Sequence, residues 1–538
     1  MPPRKKSASS APSTMKELKD TLWKAADKLR GSMDASQYKD IILGLVFLKY
    51  VSDAFEERRA QIHDEMVAEG LDEDAIVELV DVPDEYVGGS VFWVPAPSRW
   101  SYLAENAKGI QESSSADAKT IGQVVDDAMR ELVAANPTLE GITQTSFNSP
   151  AVDQRRLGEL IDLLGDTRFT GHGATKARDL MGEVYEYFLE KFARAEGKRG
   201  GEFYTPPGVV RVLVEVLEPY GGRVYDPCCG SGGMFVQTEK FIERHGGSPT
   251  EAAVYGQESN QRTWQMAKMN LAIHGITANL GGKWDDTFAH DRHPDLLADY
   301  VLANPPFNIK DWARREDDKR WRFGVPPSGN ANYAWIQHIV SKLAERGSAG
   351  IVMANGSMSS NSGGEGEIRA QLVEADLVSC VVALPTQLFR STGIPVCVWF
   401  LARDKSAGPK GSVDRQGQVL FIDARNLGYM VDRAERALSG EDIAKIAGAF
   451  HAWRGTESAG DAVYKDEPGF CYSASLAEIK EAGYALTPGR YVGAPQLEDD
   501  GEPIGEKIER LTKELFAQFE ESDRLQAVVR EQLGRVLS

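Results

Sequence analysis

The chain has 538 residues, 42% hydrophobic and 26% charged, a composition of ordinary globular proteins that excludes global disorder. Its formal net charge of −19 argues against this chain alone gripping a nucleic-acid backbone, which depends on Lys and Arg neutralising phosphates, so any nucleic-acid role needs local basic patches or a partner. The five cysteines show no C-x-x-C spacing, and adjacent Cys228 and Cys229 are badly placed to bridge each other, so a reducing cytoplasm is expected.

The start, "MPPRKKSASSAPST", is basic with no apolar segment behind it, so residues 1–14 are expected to be a disordered tail and not a signal peptide. Thr14 and Glu17 make a capping box, and Leu18, Leu22, Ala25 and Leu29 then follow helical spacing. A second helix is expected from near Asp34 through "YKDIILGLVFLKYVSDAFEERRAQIHDEM". Its apolar run, Ile41 to Leu48, is too short to span a bilayer and reads as a buried helix face. Residues 15–168 are expected to form a helical N-terminal domain, with no membrane association.

From about Gly171, short apolar runs alternate with helix-length segments, as in parallel βα units. The expected strands are "GRVYD", "AAVYGQE", "TANLGGKW", "DYVLAN", "AGIVMAN", "LVSCVVAL", "VCVWFLAR" and "QVLFID", the late close ones antiparallel. "NQRTWQMAKMNLAIHG" and "YAWIQHIVSKLAERG" read as intervening helices ending in glycine. The expected fold is α/β, a doubly wound, Rossmann-like sheet over residues 169–430. Residues 431–504 form a less regular C-terminal extension. Over 505–538, Ile508, Leu511, Leu515, Phe519, Leu525, Val528, Val529 and Leu533 make an apolar stripe that either a partner helix or the chain's own domain covers.

Ligands of open α/β sheets bind beyond the carboxyl ends of the strands, and chemistry-bearing residues collect there. "RVYDPCCGSGGMF" places Asp226 at the end of a strand, then a turn whose Gly230, Gly232 and Gly233 let a ligand approach the backbone at a helix N-terminus. This turn matches neither G-x-G-x-x-G nor the phosphate-binding G-x-x-x-x-G-K-[ST] loop. Glu258 ends the second strand, where a carboxylate can accept ribose hydroxyls, and Asp285 and Asp286 follow the third. The fourth strand runs into Asn304, Pro305, Pro306 and Phe307. A lone N-P-P-F ends many strands as a turn, but here it closes the acidic series. No lysine loop or acidic nuclease cluster is evident.

The D-P-x-x-G-S-G-G turn, the Glu after the second strand, the Asp-Thr after the third and the N-P-P-F after the fourth resemble an amino-methyltransferase that uses S-adenosyl-L-methionine. "GGEFYTPPGVV" upstream of the first strand, the N-terminal "LKDTLWKAADKLRG" with "IILGLVFLKYVSD", and the late "ALPTQLFRSTGIPVCVWFL" resemble the modification subunits of type I restriction-modification systems, the HsdM family. The likeness runs from about Leu18 to Ala402. It implies that Glu202, Phe203, Tyr204, Thr205, Pro206 and Pro207, with Ser231, Gly232, Gly233 and Glu258, surround the cofactor, that Asp226 lies near its methionine end, and that Asp286 lies near its adenine. The chain departs from the family pattern in the order Phe203-Tyr204 and in carrying Cys228-Cys229 where small residues are common.

The resemblance also implies a reaction: direct methyl transfer to adenine N6 in DNA, with neither cysteine acting as a nucleophile. An exocyclic adenine amine is a weak nucleophile, because its lone pair is delocalised into the ring. Asn304 offers a side-chain acceptor, and Pro305 and Pro306 present carbonyls without competing N–H groups. Phe307 offers a stacking face for an extruded base. "KDWARREDDKRWRFGVPPSGN" interleaves Lys310, Arg314, Arg315, Lys319, Arg320 and Arg322 with Trp312, Trp321 and Phe323, a cluster that either contacts DNA or is a solvated loop. Phe389 is either a second wall of the base pocket or core.

The family implies a separate specificity subunit, HsdS, which chooses the DNA site, and a restriction subunit, HsdR, with two copies of this chain per specificity subunit. The C-terminal helix is then the expected dock. The alternatives are a self-sufficient DNA adenine or protein-glutamine methyltransferase, or a cofactor-binding scaffold without catalysis. No metal is expected.

Overall fold

A computed structural model describes residues 15–27, 35–88, 91–109, 119–142, 147–165, 177–196, 204–389, 394–494 and 504–537. Thr14, Asp34, Glu202 and Phe203 lie outside them, so the first capping box and the leading part of the "EFYTPP" expectation are not described.

The N-terminal part is helical: α1 Met15–Asp27, α2 Ala35–Ala68, α3 Glu73–Leu79, α4 Pro83–Val87, α5 Trp100–Gly109, α6 Ile121–Ala135, α7 Gln154–Gly165 and α8 Ala177–Glu196. The expected buried face of α2 proves to be a helix enclosed on every side, with each residue from Tyr38 to Ser52 buried. Other helices surround it, and an all-apolar run such as "IILGLVFL" needs that environment. Helix α8 packs with these helices: its Val184, Tyr185, Phe188, Leu189 and Phe192 belong to the helical core.

The α/β part carries α9 Pro207–Leu217, α10 Gly233–Arg244, α11 Gln261–Ile273, α12 Asn332–Lys342, α13 Glu365–Glu374, α14 Gly440–Arg454 and α15 Leu476–Glu481. Its strands are β1 Gly222–Asp226, β2 Ala252–Gly256, β3 Ala278–Asn279, β4 Ala298–Ala303, β5 Leu343–Ala354, β6 Val378–Ala383, β7 Val396–Ala402, β8 Gln418–Asp423, β9 Tyr429–Met430, β10 Arg436–Ala437 and β11 Cys471–Ser475. Nine of them form one sheet in the order β11-β8-β6-β7-β5-β4-β1-β2-β3, while β9 and β10 pair separately. Strand β7 runs antiparallel to β5 and β6, and β11 runs antiparallel to β8; the remaining pairs of this sheet are parallel, and β9 and β10 pair antiparallel. The doubly wound α/β expectation holds; of the late strands expected to be antiparallel, β7 is, while β8 runs parallel to β6.

Three boundaries differ from expectation. The "TANLGGKW" run yields only the two residues of β3, because Gly281 and Gly282 both adopt φ +75 and turn the chain away. The helix expected to reach Gly347 stops at Lys342, whose ammonium is buried against Asp291 at 2.6 Å. The sheet also continues past residue 430, since β11 forms its edge and α14 packs on α9. The compact unit ends at Val492, and residues 493–538 form a second unit containing α16, Ile504–Leu537.

Helix α11 joins the two cores. Its Met266, Met269 and Ile273 enter the helical cluster, while Trp264, Ala267 and Leu271 enter the cluster on one face of the sheet. Strand order reverses between β1 and β4, which opens a crevice at their carboxyl ends. Asp226 ends β1 and Asn304 follows β4, so both stand at that crevice.

Candidate active site

A cavity of about 330 Å³ occupies the crevice. Of the predicted site residues, Tyr204, Thr205, Pro207, Asp226, Gly230, Ser231, Gly233 and Asn304 line it. Pro207 starts α9, where its missing N–H costs nothing and its fixed φ suits the first turn. Gly232 caps α10 at φ +81, and a Cβ there would lie 3.3 Å from Leu271, so the turn requires glycine. A Cβ at Gly233 would meet nothing within 4 Å, which leaves open space over the helix N-terminus.

Asn304 is held from upstream. Its Nδ2 donates to Thr205 Oγ1 at 2.9 Å, while its Oδ1 is buried and accepts no hydrogen bond from the described residues. A buried acceptor without a donor costs about 1–3 kcal/mol, an expense that a donor on a ligand removes. Pro305 is buried, Pro306 exposed and Phe307 half-buried, its ring set edge-on to Phe389 at 6.0 Å. Phe389 is 5% exposed and belongs to the sheet core, so its own ring presents little open face. Just past Phe307, Asn308 adopts φ 55 and exchanges two hydrogen bonds with Asn332, 3.0 Å to its own N–H and 2.9 Å from the Asn332 amide. This reciprocal pair ties the turn to the start of α12.

The Asp226 carboxyl accepts the Cys228 N–H at 3.0 Å and is buried with no cation beside it among the described residues, so burial pushes it up to about 7. A cationic ligand in the cavity would restore its charge. Burial also pushes the Cys228 and Cys229 thiols well above their ordinary range, so neither is a thiolate nucleophile.

Glu258 does not line the cavity. It sits beneath the glycine turn, accepting the Gly230 N–H at 3.1 Å and the Asn260 N–H at 2.8 Å, and burial raises its carboxyl. Asp286 is exposed and caps the next turn through the Phe288 and Ala289 N–H groups, each at 2.8 Å. Pro206 faces a neighbouring cavity of about 320 Å³ shared with Phe389.

The aromatic-basic segment after the motif is a folded loop. Trp312 and Trp321, each 8% exposed, pack with Phe288 and Trp335 and so are not free stacking faces. Arg320 donates to the carbonyls of Thr287 and Phe288, both at 2.9 Å, and pairs with Asp318 at 2.6 Å. Lys310, Arg315, Lys319 and Arg322 remain exposed.

The chain-order reading missed the upper wall of the cavity. Glu183, Glu186, Tyr187 and Glu190 of α8 line it, as do Asn270 of α11 and Gln237 of α10. Glu186 and Glu190 share one helical face in "VYEYFLEK", but only tertiary packing carries that face to the glycine turn.

Fold and site define an α/β transferase whose motif turn is built to accept hydrogen bonds. Residues 176–500 match the N-6 DNA Methylase family and residues 18–164 match the HsdM N-terminal domain. The chain belongs to this family as a DNA adenine-N6 methyltransferase of the type I restriction-modification kind, a modification subunit. It is 46% identical to a type I restriction enzyme methylase subunit of Haemophilus influenzae, over 82% of this chain and 99% of the relative. It is 38% identical to one of Methanocaldococcus jannaschii, over 96% of this chain and 90% of the relative. The crystal structure of a type I restriction-modification methyltransferase subunit from Streptococcus thermophilus superposes with a TM-score of 0.72 at 25% identity, covering 89% of this chain and all of that one.

Proposed function

We propose that this modification subunit uses Asn304 and the following prolines to activate the N6 amine of an adenine rotated out of DNA, at a site chosen by a separate specificity subunit. The observation that carries this reading is the buried, unpartnered Oδ1 of Asn304, oriented by Thr205. It is an acceptor awaiting an N–H. Together with the Pro305 carbonyl it takes the two amine protons as hydrogen bonds, which localises the nitrogen lone pair. Phe307 stacks on the base.

S-adenosyl-L-methionine, when bound, would supply a methyl group on a positive sulfonium for transfer to N6, whose proton would leave to water. The residues that hold this cofactor are Tyr204, Thr205, Pro207, Asp226 and the turn from Gly230 to Gly233, with Glu258 supporting the turn from below. Glu202 and Phe203 lie outside the described residues, and Asp286 serves as the adenine-side residue. The buried Asp226 and the open space over Gly233 fit the cationic, amino-acid end of such a ligand.

Two copies of this chain serve one HsdS specificity subunit, and HsdR supplies cleavage. The chain works in the cytoplasm, consistent with its five free cysteines; among the described residues no helix is long and apolar enough to cross a membrane. The exposed side chains of Ile508, Leu511, Leu515, Phe519, Leu525 and Val529 on α16 supply the docking surface. The decisive experiment is Asn304→Ala co-expressed with the specificity subunit, read by sequencing N6-methyladenine in host DNA. Methylation should vanish while cofactor binding persists. Normal methylation by the variant would overturn the assignment of Asn304, and robust site-specific methylation by the chain alone would overturn the need for a partner.

A further inference from the structure

Asn270, in the third turn of α11, is 1% exposed and lines the same cavity as Asp226 and Asn304. Its Nδ2 donates to the Ser231 carbonyl at 2.8 Å, which fixes the amide against the glycine turn. Its Oδ1 is buried and accepts no hydrogen bond from the described residues. The cavity thus holds two amide oxygens without a donor among the described residues, Asn304 after β4 and Asn270 on α11, and the reaction described above uses only the first.

We propose that Asn270 Oδ1 binds the α-ammonium group of the cofactor's methionine, a role that rests on the cofactor reading above. Three observations select this donor. Glu258 and Asp286, the residues suited to ribose and adenine, do not line this cavity, so the cavity belongs to the amino-acid end of the ligand. At that end the ammonium is the sole N–H donor. Glu183, Glu186 and Glu190 stand in the same lining, but each is paired, with Lys19 at 3.0 Å, Lys240 at 2.9 Å and Arg194 at 2.6 Å, so these carboxylates are engaged while Asn270 offers the free lone pairs.

The helical domain therefore takes part in cofactor recognition. Helix α8 supplies the acidic wall, and α11, anchored in both cores, sets Asn270 between that wall and the glycine turn.

The test compares two ligands by calorimetry on the full chain: S-adenosylhomocysteine, which carries the ammonium, and 5′-methylthioadenosine, which lacks the whole amino-acid part. Their affinity ratio cancels any general disturbance of the glycine turn. Asn270→Ala should lower the ratio about tenfold, the loss of one charge-assisted hydrogen bond of about 1.4 kcal/mol. Asn270→Asp keeps an acceptor but drops the donor to Ser231, and it should retain the wild-type ratio or raise it. An unchanged ratio in Asn270→Ala, or an equal loss for both ligands, would overturn the proposal and leave Asn270 as a brace for Ser231. If wild-type chain binds neither ligand, the cofactor reading itself fails, a result distinct from any change between variants. An unfolded Asn270→Ala, detected by thermal melting, transfers the decision to Asn270→Asp, where a lowered ratio counts against the proposal.

Discussion

The side-chain amide of Asn304 donates to the hydroxyl of Thr205 across 2.9 Å, joining the motif turn after β4 to the segment that opens α9, 99 positions earlier. Thr205 thereby fixes how the amide is turned and, on the proposed reading, which end faces the reacting amine. Thr205→Val removes the acceptor but keeps the shape. Methylation should slow about tenfold, the effect of about 1.4 kcal/mol of lost orientation, while cofactor affinity stays within about twofold. Single-turnover methylation beside equilibrium binding checks the split; an equal loss in both would make Thr205 a cofactor contact only.

The buried Asp226 sets a pH dependence. Its carboxyl is raised from 3.8 to about 7, so it favours folding below the ordinary value and loses that contribution as pH rises through about 7. Binding of a sulfonium cation has the opposite preference, because it requires the ionised form. Cofactor affinity should therefore climb by up to about tenfold per pH unit below 7 and level off above it. Asp226→Asn should flatten the profile, as titrations at a series of pH values would reveal.

The loop after the motif is held by packing. Trp321→Ala removes a side chain that is 8% exposed among Phe288, Trp312 and Trp335, and should cost about 3–5 kcal/mol in denaturant unfolding. The exposed Arg322→Ala should stay within about 0.5 kcal/mol of wild type. A small loss for Trp321→Ala would mean that the tryptophan is not part of a working core.

Gly141 marks the junction of the helical and catalytic parts. It adopts φ +86, a Cβ there would stand 2.8 Å from the Trp264 ring, and its carbonyl accepts from Gln265 at 2.9 Å. Gly141→Ala should destabilise the chain by about 1–3 kcal/mol through the clash and the strained backbone. Chemical denaturation monitored by tryptophan fluorescence measures it directly.

Deleting residues 504–538 should abolish co-purification with the specificity subunit while leaving cofactor binding intact, since the exposed apolar stripe of α16 is removed and the cavity residues are not. Undiminished association after the deletion would place the dock elsewhere.

Much of this site was legible because its groups lie at strand ends within a few residues of recognisable turns. Asp226 with its glycines and Asn304 with its prolines are such local patterns. Strand β11, "CYSAS", escaped because an edge strand of small alternating residues has no apolar run to mark it. Helix α14 carried a signal that was overlooked, the box formed by Ser439 and Asp442 at its start. Asn270 and Glu186 carried none, since buried polar groups on helices look the same in sequence as solvated ones.

By itself the sequence determined the α/β class and which segments form most of its strands, because periodicity, glycine and proline act over a few residues. Only the tertiary structure decided that Glu258 supports the glycine turn from outside the cavity, that Trp312 and Trp321 pack inward, and that α8 and α11 wall the crevice. Each of those outcomes depends on which distant surface a side chain meets, and that is fixed by the packing of two cores around α11.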